Sequence, residues 1–411
     1  MIVVYHSNRI VTDISNFRSD LSLNLKILNK SLGSVVFEYS LLYPSEIIVW
    51  CDEELRNSIN LDYIYRSFTT SNVLLSYSIS GNYVLDNRIQ FVDTTFFSYP
   101  SRNIKSSTYI MSSEVGGVSA TVLNNYKSLY NFEPNQDFDY VLCSIAKLFH
   151  PSGLFSYSDP KLVTCSGKAS NGNVGDIQVI FNFVSEHWKK QWTIFLLFTL
   201  YFKEKSLFIL PFITSLFYKR KVLEATDFFS LNTPRDSNER TMDRFTSVDV
   251  IIPTIGRRDY LERFLNDLSH QTLLPQNVII IEQNPSLDSA SELDFLSSQS
   301  YPFTIIHRFI HKTGACNARN MGLELVESEW VFLADDDISI ANTFFDSFFE
   351  NPLLKSDCSY SLSCLKPDEG KKFLIPVQWD TFGGGCSIIS SSILSKVKFD
   401  TKFEHGFGED S

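Results

Sequence analysis

Residues 329–338 read EWVFLADDDI, an apolar run that ends in three consecutive aspartates. Burying Asp335, Asp336 and Asp337 together is costly, because like charges repel and each loses its hydration. A hard divalent cation among the carboxylates would offset that cost. Alternate side chains of an extended strand point the same way, so Asp335 and Asp337 are predicted to share the cation while Asp336 faces away. The alternative is an exposed acidic turn that caps a helix beginning near Ile340.

Two apolar runs earlier in the sequence have the pattern of parallel strands. Residues 248–254 read VDVIIPT and stop at a turn before an amphipathic helix predicted at 260–269. Such a strand-to-helix turn is a natural place for a nucleotide. A second strand, predicted at 278–281, ends at Glu282, whose carboxylate could accept hydrogen bonds from a ribose or base; a solvated turn fits the pattern equally well. From Ser247 onward, strands alternate with helical patterns, which predicts an α/β fold with a mainly parallel sheet.

Small residues mark the start of another helix. Residues 313–322 read TGACNARNMG, and the glycine and alanines would let the helix begin close to a ligand. Arg319 and Asn320 would then project from its first turns. Arg319 could pair with a diphosphate or orient the metal-binding carboxylates, and a surface arginine is the alternative.

Two further segments carry candidate site residues. Gly384 and Gly385 follow Trp379 in a glycine run that suits a loop approaching a sugar, although glycine also serves tight turns. Glu409 and Asp410 are adjacent acids, and a carboxylate whose pKa is raised by its neighbour is a candidate general base. Solvated charge without a role is the alternative reading of these two acids.

Six segments, taken in order, resemble the family 2 glycosyltransferases of the GT-A fold across about residues 247–411: VDVIIPTIGR, IIIEQNP, GACNARNMGL, FLADDDI, FGGGCSII and FGED. The resemblance implies an inverting transferase with a nucleotide-diphosphate sugar donor, Mg²⁺ or Mn²⁺, and a glycan or lipid-linked glycan acceptor in surface polysaccharide synthesis. It implies that Asp335 and Asp337 form the DxD-type metal pair and that Asp410, beside Glu409, is the base. The substrate-binding residues would be Pro253, Thr254, Arg257, Glu282, Asn284, Arg319, Asn320, Asp336, Gly384 and Gly385.

The sequence departs from that family in two places. Glu282 stands where an aspartate is usual, and the sequence stops one residue beyond Asp410, where relatives continue with a helix and a strand. We therefore expect a fragment of a longer enzyme. The rival interpretations are a non-catalytic scaffold that kept the fold, and a nucleotidyltransferase, which usually opens with the glycine-rich basic loop that residues 253–258 lack.

Residues 1–165 are interpreted as an α/β domain that is a shortened, degenerate GT-A-like copy. Residues 45–55 align without a gap on 328–338, and a glycine pair at 116–117 and acids at 137–139 follow at similar distances. Strands are predicted at 2–5, 34–39 and 47–51. Fewer residues precede Asp52 than separate Ser247 from Asp335, so the nucleoside pocket would be missing. A scaffold or acceptor-binding role is favoured, and chance recurrence of the pattern is the alternative.

Residues 166–246 are predicted to form an apolar helical segment and a polar linker. The apolar runs at 192–202 and 207–218 are shorter than the roughly 20 residues that span a bilayer. Buried helices between the two domains are favoured. The main alternative is a helical pair lying on a membrane surface through residues 190–221, with Lys219–Lys221 against anionic headgroups. The third interpretation is a helical hairpin inserted into the membrane.

The composition limits the number of domains, the class of partner and the cysteine chemistry that this sequence can have. A chain of 411 residues with 44% hydrophobic residues suggests two globular domains, and its net charge of −11 disfavours nucleic acid as a partner. Seven scattered cysteines without a CxxC pair indicate neither a disulfide framework nor a zinc site. The N-terminus does not read as a signal peptide. A cytoplasmic protein, peripheral at the inner membrane face, is predicted.

Overall fold

The computed structural model describes residues 1–18, 29–130, 132–133, 136–165, 175–223, 247–351, 354–366, 368–370 and 375–404. Contacts divide the chain into two compact units, Met1–Asp236 with Phe373–Asp380, and Ser237–Lys372 with Thr381–Ser411. The first unit therefore includes a short segment that follows most of the second unit in sequence. The predicted α/β class is confirmed for the residues that the structure describes.

The first unit contains a seven-stranded mixed sheet in the order β2-β1-β3-β6-β4-β7-β5. Its strands are β1 (Ile2–Ser7), β2 (Ile10–Asn16), β3 (Ile47–Asp52), β4 (Val73–Tyr77), β5 (Ser106–Ser107), β6 (Val115–Ser119) and β7 (Phe155–Ser158). Its helices are α1 (Leu32–Leu42), α2 (Leu61–Ser67), α3 (Ala120–Leu129), α4 (Phe138–Phe149), α5 (Ile177–His187), α6 (Gln191–Glu204) and α7 (Ile209–Ser215). The strand predicted at residues 34–39 is wrong, because that stretch lies in α1, which buries Val35, Val36 and Tyr39. A short apolar run fits a buried helix as well as a strand.

The second unit contains a six-stranded sheet in the order β10-β9-β8-β11-β13-β12. Its strands are β8 (Val248–Thr254), β9 (Asn277–Gln283), β10 (Thr304–Ile310), β11 (Trp330–Ala334), β12 (Ser359–Ser361) and β13 (Cys386–Ser390). Its helices are α8 (Arg258–Ser269), α9 (Phe295–Ser298), α10 (Ala315–Leu323), α11 (Phe344–Phe349) and α12 (Ser391–Leu394). The first four strands in the sheet order run parallel, which confirms the predicted mainly parallel sheet.

The two sheets share one arrangement of strands around their centres. β1 is parallel to β3, as β8 is to β11, and each pair is followed by two antiparallel partners. The registers agree as well, because Cys51 lies opposite Val115 and Ala334 lies opposite Cys386. Equivalent backbone hydrogen bonds occur at both ends of β3 and β11. After each strand, the nitrogen of Asp52 donates to Glu114 and that of Asp335 donates to Gly385. Before each strand, the oxygen of Glu46 accepts from Ala120 and that of Glu329 accepts from Ser391.

The apolar middle segment contributes to the core of the first unit and also to its surface. α5 buries Phe181 and Phe183, and α6 buries Leu196 and Leu200. The outer faces of α6 and α7 remain exposed and apolar. Among the residues that the structure describes, no helix combines the length and hydropathy needed to cross a bilayer.

A buried carboxylate joins three parts of the second unit. The Asp249 side chain in β8 accepts hydrogen bonds from the backbone and side-chain nitrogens of Asn277, the Glu327 nitrogen, and the nitrogen and hydroxyl of Ser328. Asp249 is fully buried. Its carboxylate therefore fixes the start of β11, and with it the position of the three aspartates at the other end of that strand.

Asp249→Ala should lower the free energy of unfolding by at least about 3 kcal/mol, because several buried donors would lose their acceptor. Urea unfolding, followed by tryptophan fluorescence, measures the change. The exposed Asp288 supplies the control, because Asp288→Ala should leave the unfolding midpoint unchanged. An Asp249→Ala midpoint equal to that of the wild type would contradict this account.

Candidate active site

The three aspartates follow β11, and their side chains differ in the fraction exposed to solvent. The Asp336 side chain is 5% exposed, whereas those of Asp335 and Asp337 are 46% and 44% exposed. The middle carboxylate therefore points into the protein and its two neighbours reach the surface. The sequence pattern predicts such an alternation for an extended segment, whereas Asp336 and Asp337 lie in a turn that follows β11.

The buried Asp336 is held by the end of β8. Its carboxylate accepts a 2.7 Å hydrogen bond from the Thr254 hydroxyl and pairs with Arg257 at 3.2 Å. Arg257 also reaches Asp337 at 2.9 Å. The Asp336 carboxylate raises the pKa of Arg257, so the guanidinium is charged throughout the physiological range. Through these contacts, Asp336 holds the turn that carries Asp335 and Asp337 against the strand-to-helix turn after β8.

Asp335 is supported from the opposite direction. Arg319 lies on α10, is 4% exposed, and donates to the Asp335 carboxylate at 3.0 Å. The backbone of Gly385 accepts a hydrogen bond from the Asp335 nitrogen at 2.9 Å. A Cβ atom at position 385 would collide with the Asp335 carboxylate. A glycine in this run is therefore required for its close approach to the acid, whereas the sequence pattern indicated only a flexible loop.

A cavity of about 370 Å³ opens beside these groups. Its lining includes Pro253, Thr254, Ile255, Arg257, Gln283, Thr313, Gly314, Ala315, Arg319, Asp335 and Asp336. Gln283 was not among the predicted site residues; it accepts a 2.6 Å hydrogen bond from the Gly314 nitrogen. Its place directly after Glu282 at the end of β9 is the signal that could have identified it. Gly314 has a φ of +136°, which favours glycine at the start of α10.

Three predicted substrate-binding residues have structural partners and do not line this cavity. Glu282 is buried and accepts from the Glu292 nitrogen at 2.8 Å and pairs with His307 at 2.8 Å. Asn284 caps a turn by accepting from the Ser286 nitrogen. Asn320 exchanges two hydrogen bonds with the backbone of Phe399. Glu409 and Asp410, predicted as the base and its neighbour, lie outside the described residues.

The net charge of the three aspartates and the two arginines beside them restricts which ligand this site can bind. Three carboxylates (Asp335, Asp336, Asp337) face two guanidinium groups (Arg257, Arg319), so the cluster keeps a net charge of about −1. A diphosphate would be repelled unless a cation added positive charge. Two exposed carboxylates with phosphate oxygens and water are a usual ligand set for Mg²⁺, so the residues present fit such an ion. No group of three or more His, Cys, Asp or Glu side chains suited to a metal occurs within the described ranges.

Residues 249–350 match the family model described as glycosyl transferase family 2. This segment is a family 2 glycosyltransferase domain. The match contains β8, β9, α10 and the three aspartates after β11, which are the elements that build the cavity. No curated protein matches the chain.

Solved structures similar to the chain include TarS of S. aureus and a mannosyltransferase. S. aureus TarS 1-349 is 18% identical, covering 40% of this chain and 53% of that one, with a TM-score of 0.31. The TarS 1-349 complex with UDP-GlcNAc is 18% identical over 38% and 49%, with a TM-score of 0.30. The mannosyltransferase PcManGT of Pyrobaculum calidifontis, in complex with GDP-Man and Mn²⁺, is 16% identical over 38% and 49%, with a TM-score of 0.30. The chain thus spans about half the length of these solved chains.

Proposed function

We propose that the family 2 glycosyltransferase domain transfers a sugar from a nucleotide-diphosphate donor to a glycan or lipid-linked glycan acceptor, with inversion at the anomeric carbon. The observation that supports this most is the placement of Asp335 and Asp336 in the wall of a 370 Å³ cavity, with Arg257 and Arg319 beside them. Asp337 is exposed and joins this cluster through its ion pair with Arg257. The strand-to-helix turn after β8 and the start of α10 would hold the donor.

Each side chain has one task in the proposed reaction. Asp335 and Asp337 would hold Mg²⁺ or Mn²⁺, which as a Lewis acid stabilises charge on the leaving diphosphate. Arg319 orients Asp335, and Arg257 lies where it can contact the diphosphate. Asp410 removes the proton of the acceptor hydroxyl as its oxygen forms the new bond to the anomeric carbon. The bond from that carbon to the diphosphate breaks on the opposite face, so one displacement inverts the centre.

Hydrolysis of the donor distinguishes the candidate functions. A panel of UDP-, GDP- and dTDP-sugars is incubated with the chain and Mg²⁺ or Mn²⁺, and the products are measured. Release of the nucleoside diphosphate supports a transferase. Exchange of labelled pyrophosphate into the donor would instead indicate a nucleotidyltransferase, and neither reaction, without donor binding, would indicate a scaffold.

The first unit is, in this proposal, a shortened copy of the same fold without catalytic function. The matching strand order and backbone hydrogen bonds support a correspondence between Asp52 and Asp335. The acid at the position of the proposed base, Asp139, is buried, accepts from the Ser113 nitrogen and is paired with Arg9. Both oxygens of this buried carboxylate are occupied by these partners, which argues against its acting as a base toward an acceptor hydroxyl. The first unit would therefore support or bind the acceptor.

The outer faces of α6 and α7 would bind the inner surface of a cytoplasmic membrane. Phe202 in α6, Leu210 in α7 and Phe217 just after α7 are 66%, 71% and 83% exposed, and other large apolar side chains of this stretch are exposed too. Residues 190–221 carry six basic side chains and one acidic one, in a protein whose net charge is −11. An apolar face edged by cations fits an anionic lipid surface, where each basic residue contributes about 1 kcal/mol.

Replacing Phe202, Leu210 and Phe217 together by serine should reduce binding to phosphatidylglycerol vesicles at least about tenfold, since the face that enters the lipid is lost. Co-sedimentation at low and high salt measures the change. A matched control replaces Leu41, Leu42 and Ile104, which are also exposed apolar residues of the first unit. Equal binding by both triple variants, or no binding by the wild type, would contradict the membrane proposal.

A further inference from the structure

The first unit contains a cavity of about 250 Å³ that the proposed transfer chemistry does not use. Aromatic rings of Phe97, Tyr109 and Trp379 line it, together with the polar side chains of Lys147, His150 and others. The family match ends at residue 350 and begins at 249, so no part of this cavity belongs to the matched domain.

One wall of the cavity comes from a segment far along the chain. Residues 375–380 belong to the first unit, and the side chain of Gln378 anchors them there. The Gln378 side chain accepts from the Ser156 nitrogen at 3.1 Å, and donates to the Ser156 oxygen at 3.2 Å and the Ser107 hydroxyl at 3.0 Å. The Gln378 side chain thereby links this segment to β7 and β5. Trp379 and Asp380 are presented at the cavity by this anchored segment, and the Trp379 ring is 53% exposed.

The polar groups of the cavity favour an uncharged ligand with hydroxyl groups. The Gln378 backbone lies close enough to the His150 ring to interact with it, while the buried Nε2 atom has no hydrogen-bond partner of good geometry in the described part of the chain. Burial lowers the pKa of His150 to about 4, so the ring is neutral at pH 7. Lys147 pairs with Asp93 at 2.7 Å, and Asp380 adds a further carboxylate, which leaves no positive charge in excess for a phosphate. A hydroxyl would satisfy the histidine at no electrostatic cost.

Size and shape restrict the ligand further. Pockets for larger ligands begin at about 300 Å³, so a cavity of 250 Å³ fits one ring with its substituents better than a nucleotide. Aromatic rings pack against the C–H faces of a sugar ring, while the polar atoms between them bind its hydroxyls. We propose that this cavity binds one uncharged sugar residue of the acceptor glycan.

The assignment to the acceptor rests on the proposed transferase function and on the covalent chain. Asp380 precedes Gly385 by only five residues in the sequence. Gly385 in turn contacts the Asp335 carboxylate. A sugar held by Trp379 and Asp380 is thus connected through one short segment to the glycine that supports the proposed metal ligand.

Binding of simple sugars tests the proposal. Methyl glycosides of glucose, galactose, mannose and N-acetylglucosamine are titrated by saturation-transfer NMR, without nucleotide sugar or metal. At least one should bind in the millimolar range, and Trp379→Ala should weaken it about tenfold. Trp379→Phe, which keeps a ring, should restore most of the affinity. Trp192→Ala is the matched control, because Trp192 is an exposed tryptophan of the same unit outside the cavity.

The outcomes separate this proposal from the transferase proposal. No binding of any glycoside, equal binding by Trp379→Ala, or displacement of the glycoside by uridine monophosphate or inorganic phosphate would overturn the sugar site. Glycoside binding that depends on Trp379, in a chain that releases no nucleoside diphosphate from any donor, would retain the sugar site and remove the transferase. The Asp335→Asn variant should bind the glycoside as the wild type does, because Asp335 does not line this cavity.

Discussion

Asp335→Asn should lower the release of nucleoside diphosphate from the donor roughly a thousandfold, because metal-ion stabilisation of a leaving group contributes several kcal/mol. The neutral amide keeps the shape of the side chain but removes a negative ligand and the partner of Arg319. Donor affinity should also lose its dependence on Mn²⁺. Calorimetric titration of the nucleoside diphosphate with and without Mn²⁺ measures that dependence separately from turnover.

The chain supplies its own control for this experiment. Asp52 ends β3 as Asp335 follows β11, with the equivalent backbone hydrogen bond, yet the proposal gives it no role in catalysis. Asp52→Asn should therefore keep the turnover of the wild type. Loss of turnover in Asp52→Asn alone would place the active site in the first unit, and unchanged turnover in Asp335→Asn would end the metal-pair assignment.

Asp410→Asn should reduce transfer to the acceptor by roughly 10²- to 10⁴-fold, the range that general-base assistance provides. Binding of the donor should be unchanged, because the base acts on the acceptor hydroxyl. Asp410 follows Cys386 by 24 residues, the same spacing at which Asp139 follows Val115 in the first unit. Cys386 and Val115 occupy equivalent registers beside β11 and β3. This spacing favours Asp410 over Glu409 as the base.

Transfer to an acceptor and binding of the donor are measured in parallel for both acids. Glu409→Gln is the matched control, and the proposal predicts a smaller loss for it than for Asp410→Asn. An Asp410→Asn variant that transfers sugar at the rate of the wild type would remove Asp410 from the mechanism. An Asp410→Asn variant that no longer binds donor would move the residue from the chemistry to the donor site.

Much of the second unit follows from local sequence pattern. The apolar runs before Thr254 and Asp335 form β8 and β11, and the amphipathic stretch after Arg257 forms α8. Strand alternation predicts a buried Asp336, although the structure buries it in the turn after β11, where Thr254 and Arg257 hold its carboxylate. These features depend on periodicity and on the cost of burying charge, which are both properties of short segments.

Features that depend on contacts between residues far apart in the sequence could not be predicted from local sequence pattern. Asn320 resembles a ligand residue because it projects from a glycine-rich helix start, yet its amide is occupied by the Phe399 backbone. The apolar run at 34–39 is too short for its hydrophobic periodicity to distinguish a helix from a strand. Nothing near Gln378 in sequence indicates that its side chain pairs with Ser156, more than two hundred residues earlier.

The anchoring of Gln378 has a practical consequence for dissecting the protein. A recombinant fragment that starts at residue 247 would carry residues 375–380 but not the strand whose backbone they pair with. Such a fragment would expose the unsatisfied amide and the aromatic side chain beside it, which favours aggregation. Mixing it with separately expressed residues 1–223 would show whether the two pieces complement each other in trans.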